Sequence, residues 1–96
     1  MNKIILDGKK FNTERELHQF FKKQLDFPDY YGMNLNAFWD CLSEGFEEPT
    51  KIIWINVEDS KKNLGVNFVK DVIDLLEKGK NFLKDEVVKF DYKITN

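Results

Sequence analysis

The chain predicts a small layered α/β fold, with elements in the order β-α-α-β-α-β. Three short segments, 3–6, 51–57 and 88–94, carry strand patterning, and stretches of helical periodicity fall between them. Helical crossovers between strands favour parallel pairing, and right-handed crossovers lay the helices against the sheet. The length of 96 residues, 42% hydrophobic with nine phenylalanines, suits one continuous core and a single domain over 1–96.

Residues 3–6 read as a strand closed by Asp7-Gly8, a turn signal that could also open a hairpin with residues 9–11. Thr13-Glu14-Arg15-Glu16 matches a capping box, in which the Thr13 hydroxyl accepts an orphan amide and Glu16 reaches back. Leu17, Phe20, Phe21 and Leu25 then keep helical spacing, so 14–25 is an amphipathic helix. Pro28 and Gly32 place a loop after it, and Asn34 is the expected N-cap of a second helix over 35–44.

The segment KIIWINV at 51–57 is apolar at alternate and intervening positions, as the middle strand of a covered sheet would be. Asp59 or Ser60 starts a short helical turn. Val66, Val69, Val72, Ile73 and Leu76 mark a further helix expected to end near Gly79. Val88, Phe90, Tyr92 and Ile94 alternate with Lys89, Asp91 and Lys93, the period of an edge strand with one solvated face.

Charge is distributed unevenly. Between Gln24 and Thr50 lie six acids (Asp26, Asp29, Asp40, Glu44, Glu47 and Glu48) and no lysine or arginine, with the aromatic run FPDYYGMNLNAFWDC in their midst. All 15 basic residues lie elsewhere, so a net charge of only −2 conceals a negative, ring-rich patch. At about 100° per residue, Leu35, Phe38 and Leu42 share one arc of the second helix, with Phe46 joining if it runs on. Asn36, Asp40, Ser43 and Glu44 share another, with Trp39 at the border, and Tyr30 and Tyr31 can flank the same surface. A ring beside a carboxylate lowers the local dielectric and strengthens pairing with an incoming lysine or arginine.

Composition excludes several alternatives. A pI near 5.4, with aromatics set among acids that repel phosphate, speaks against direct nucleic-acid binding. No apolar run approaches the roughly 18 residues of a membrane span, and a single cysteine fits a reducing compartment, so the cytoplasm is expected. His18 and Cys41 are the only imidazole and thiol, too few for a zinc site, and Cys41 reads as a small buried residue. The five glycines are scattered, so no phosphate-cradling loop forms. No enzyme chemistry, metal or cofactor is expected.

At FPDYYGMNLNAFWDCLSEGFEEP the chain resembles the barstar family of intracellular ribonuclease inhibitors. The matching positions are Phe27, Pro28, Tyr30, Tyr31, Gly32, Asn34, Leu35, Ala37, Phe38, Trp39, Asp40, Cys41 and Leu42. Leu17-His18-Gln19, Trp54 and Lys61 extend the match to about two thirds of the chain. The resemblance implies a three-layer-like barstar fold: a small three-stranded parallel sheet with helices packed around it. It also implies that the second helix and the loop before it plug the active site of a basic secreted or toxin ribonuclease, as in toxin–antitoxin pairs, the free protein being a monomer. Asp40 then matches the family's central carboxylate, which occupies the enzyme's phosphate site. The expected partner-facing set is Tyr30, Tyr31, Asn34, Leu35, Asn36, Trp39, Asp40, Ser43 and Glu44.

The chain also departs from the family pattern. Asn36 stands where the family has a second acid, Glu44-Gly45 replaces Gly-Trp, and the acid of the last helix aligns with Leu75. Asp74 is adjacent to that position, and Glu77 fits another register. These shifts imply a different nuclease or, as the alternative, an interaction module of the same fold with a partner that is no nuclease.

Overall fold

A computed structural model describes residues 1–96. Strand β1 (Asn2–Asp7) runs into a 3-10 turn at Gly8–Lys10, held by the Lys9 amide donating to the Asp7 carboxylate at 3.0 Å. No hairpin forms. Gly8 is needed for close approach: a Cβ there would collide with the Asn56 carbonyl and the Ser60 hydroxyl. Helix α1 (Glu14–Gln24) begins at the predicted capping box. The Glu16 amide donates to Thr13 Oγ1 at 3.1 Å and the Thr13 amide to Glu16 Oε1 at 3.0 Å. Helix α2 (Leu35–Ser43) follows, capped by Asn34.

Strand β2 (Thr50–Ile55) pairs parallel with β1 on one side and with β3 (Phe90–Ile94) on the other. The order β1-β2-β3 makes β2 the central strand, as its composition suggested, and β3 an edge. The observed architecture is therefore an α/β fold around a three-stranded parallel sheet.

Three boundaries differ from expectation by two residues or more; the last strand begins at Phe90, so Val88, read as part of it, lies outside. Val57, read as the end of the strand, opens a full helix α3 (Val57–Leu64) in place of a short turn. Asn56 makes the break: its backbone is left-handed, with φ 55°, and its side-chain amide donates to Asp7 Oδ1 at 2.9 Å. Asparagine tolerates that conformation better than most residues, so a strand former such as Val57 can still begin a helix. Helix α4 (Val66–Phe82) passes through Gly79 and ends three residues later. Gly79 serves packing there, because a Cβ would lie 2.7 Å from a Leu42 methyl; the missing side chain lets α2 and α4 approach closely.

The core lies between the helices and one sheet face. Ile4, Leu6, Ile52, Trp54 and Phe90 from the strands meet Leu17, Phe21, Phe38, Leu42, Val69, Val72 and Leu76. The Trp54 indole N–H donates to Ser60 Oγ at 2.9 Å, avoiding the roughly 1–3 kcal/mol cost of a buried unpaired donor. The opposite sheet face carries Lys3, Ile5, Lys51, Ile53, Ile55, Asp91 and Lys93, none of them buried. Coverage of 51–57 on both faces is thus corrected: Ile53 and Ile55 look toward solvent, and Ile5 is 52% exposed. Both crossovers lay their helices on one side, so a central strand can be continuously apolar yet buried on a single face. No helix is long and apolar enough to cross a membrane.

Candidate functional site

The loop between α1 and α2 is pinned by alternate aromatic residues. Phe27 and Tyr31 are buried, with ring centroids 5.0 Å apart, and Phe27 also meets Phe38 of α2. The Tyr31 amide donates to the Pro28 carbonyl at 2.9 Å, closing a turn that leaves Tyr30 85% exposed. Tyr31, expected to flank the exposed surface, lies beneath it at 5% exposure. Its hydroxyl hydrogen-bonds His18 Nδ1, and burial pushes the phenol pKa up and the imidazole pKa down. Tyr31 and His18 therefore hold the loop from below while Tyr30 faces outward.

Asn34 sets the start of α2. Its Oδ1 accepts from the Ala37 amide at 2.8 Å and its Nδ2 donates to the Gly32 carbonyl at 3.2 Å, so one side chain ties loop to helix. Preceding it, Met33 adopts left-handed backbone with φ 54°, a conformation that costs a residue with a Cβ about 1 kcal/mol or more. The cap and the buried rings offset that cost.

On α2 the predicted arcs are recovered. Phe38 and Leu42 are fully buried, Leu35, Trp39 and Ser43 are half-buried, and Asn36, Asp40 and Glu44 are exposed. The Ser43 hydroxyl donates to the Asp40 carbonyl at 3.2 Å, and Glu44 is the C-terminal cap residue. The chain's ion pairs are Lys61–Glu58, Lys70–Asp74 and Lys80–Asp91. All six acids of the 24–50 window are consequently both exposed and unpaired. Cys41 is half-buried where full burial was expected. Burial, then Glu44 and Asp40, raise its thiol pKa, the opposite of what a nucleophile needs.

Helix α4 supplies Asp71, Lys78 and Phe82, which sequence reasoning missed, beside Asp74 and Leu75, which it named. Leu35, Asn36 and Trp39 form one wall of a cleft of about 320 Å³, and Asp71, Asp74, Leu75 and Lys78 form the other. Leu75 lies there, with Asp71 and Asp74 in the same wall. Asp74 pairs with Lys70 at 2.9 Å, and Asp71 has no ion pair. Glu77, the candidate in the other register, is held away by the Tyr92 hydroxyl at 2.7 Å and Asn81 at 3.1 Å. Lys78 Nζ sits 4.1 Å over the Trp39 ring, and Phe82 meets that ring edge-on at 5.6 Å. Asp71, Asp74, Lys78 and Phe82 follow helical spacing, so the stripe was legible in principle. What the sequence could not reveal is which side of α4 faces Trp39.

Fold and face together define a class: a small parallel α/β protein whose second helix and preceding loop present unpaired carboxylates beside exposed Tyr30 and half-buried Trp39. The chain belongs to the barstar family; the family model described as Barstar (barnase inhibitor) matches residues 1–95. It is also similar to the protein named "Putative ribonuclease inhibitor YrdF" of Bacillus subtilis (strain 168). The two are 43% identical over 86 residues, which cover 90% of this chain and 93% of that one.

Proposed function

We propose that this protein inhibits a basic ribonuclease by seating α2 and the loop before it in the enzyme's active site, without covalent chemistry. The observation that carries this reading is Asp40: exposed, free of any ion pair, next to Trp39, and on a helix without a single lysine or arginine. Catalytic grooves that bind RNA are lined with cations, and a carboxylate held on a rigid helix can occupy the position of a phosphate. Preorganisation is essential here, because a partner then need not order the loop on binding. The buried Tyr31–His18 pair and the Asn34 cap provide it. Family membership and the name of the Bacillus relative point to the same role.

With Asp74 paired to Lys70, Asp71 alone supplies the cleft with a free carboxylate where Asn36 lacks a charge, whereas Lys78 places a cation there. A partner must accommodate both, so the target is expected to differ from an enzyme matched to two acids on α2 alone. Barnase and other basic microbial ribonucleases titrated with the protein test the proposal. Inhibition should reach its limit near one-to-one stoichiometry. Asp40→Ala should raise the inhibition constant roughly ten- to hundredfold, the loss of a charge-assisted contact of about 1.5–3 kcal/mol. Glu58→Ala, on α3, should leave it unchanged. Equal inhibition by wild type and the Asp40 variant would sink the active-site reading. No inhibition of any ribonuclease would favour an interaction module with another partner.

A further inference from the structure

Beyond the α2–α4 cleft, a second recess of about 260 Å³ opens where the end of α2 meets the segment following α4. Leu83 is buried and Phe46 and Val88 half-buried, forming an apolar floor, while Glu44, Glu86 and Val87 stand exposed at its rim. Phe46 is fixed by stacking on Phe90 of β3 at 5.5 Å, and the Glu86 amide donates to the Leu83 carbonyl at 3.1 Å. The floor is therefore preformed. Val87 is 96% exposed and Phe82 62% exposed, and Phe82 touches Trp39. The recess thus continues the face that carries Asp40, with Glu44 belonging to both.

Neither rim acid has an ion partner, and Lys89, near in sequence, directs its ammonium to the Lys84 carbonyl instead. An apolar floor beneath two unpaired carboxylates matches one kind of side chain: an aliphatic stem ending in a cation. We infer that the recess is a second anchor point for the partner and takes one of its lysine or arginine side chains. The stem lies on Phe46, Leu83 and Val88, and the charged head sits between Glu44 and Glu86. This inference rests on the reading of the face as the seat of a basic protein, and it assigns a partner-recognition role to the segment after α4.

An acetylated, amidated hexa-arginine peptide is a suitable probe, titrated into the isotopically labelled protein and followed by amide chemical shifts. Saturable shifts at Gly45, Phe46, Glu86 and Val87 are expected, with apparent affinity weakened about tenfold in Glu44→Gln/Glu86→Gln. Glu58→Gln should bind as wild type does. Shifts confined to Asn36, Asp71 and Asp74, no saturable shifts, or unchanged affinity in the double variant would each overturn the assignment. Barnase inhibition separates this outcome from failure of the broader reading. If wild type inhibits and Asp40→Ala weakens it, Glu86→Gln/Val87→Ser should weaken it severalfold, and an unaltered constant removes the recess alone. If wild type does not inhibit barnase, that enzyme is excluded as target and the peptide titration still decides the recess.

Discussion

His18 and Tyr31 carry little of the surface but control what the surface can be. Both are buried and joined by one hydrogen bond, and between them they fix a loop whose outward residue is Tyr30. Burial makes the imidazole harder to protonate in the folded chain than in the unfolded one, whose ordinary value is near 6.5. The unfolded state therefore takes up the proton first as pH falls. Stability from this group is complete above that pH and is lost as pH drops below it, through the depressed folded value. His18 is the only histidine, and Asp7 and Asp91, whose pKa values are lowered, act below the ordinary carboxylate range. A lower urea midpoint at pH 5 than at pH 7.5 is expected, with His18→Gln flattening the difference; an equal drop in that variant would remove His18 as the cause.

At the scale of elements, two helix caps of similar chemistry have different consequences. Thr13 caps α1, remote from Asp40 in the sequence, whereas Asn34 caps α2 and also binds the Gly32 carbonyl of the loop before it. Replacing either by alanine should cost about 1 kcal/mol of stability in chemical denaturation. Only Asn34→Ala should also weaken inhibition, since it frees the chain between Tyr31 and Leu35 and adds an ordering cost to binding. If Thr13→Ala impaired inhibition as much, loop preorganisation would not be the reason. Helix α4 faces both ways: Val69, Val72 and Leu76 complete the core, while Asp71, Asp74, Lys78 and Phe82 look outward across Trp39 or into the adjacent cleft.

For the whole molecule, the consequence lies in the separation of charge. Six unpaired acids sit within one stretch of chain, while Lys3, Lys51 and Lys93 stand on the open sheet face. Such an asymmetry would steer the basic partner proposed above before contact. Association should slow by roughly tenfold or more between about 0.05 and about 0.5 M NaCl, with dissociation changing much less, because screening acts on the approach. Stopped-flow mixing with an inhibited ribonuclease measures this, and a salt-independent association rate would show that the acids act only at contact.

Local chemistry made much of this legible from residues alone. The Thr13 capping box, the Asn34 cap, the arcs of α2 and the central place of β2 all follow from spacing and side-chain type, which act within a few residues. The acidic window and its motif were equally plain, since charge and pattern are properties of the chain itself. The errors arose where distant segments decide. Asn56 turns the chain early with its amide on Asp7, and Gly79 sits inside a helix where its missing side chain makes room for Leu42. Tyr31 and Tyr30 are chemically near-identical neighbours, yet the position of His18 buries one and leaves the other in water. Which face of α4 joins the site, and that a second recess opens beside Glu44, were settled only by packing, because those contacts depend on how whole helices come to rest against one another.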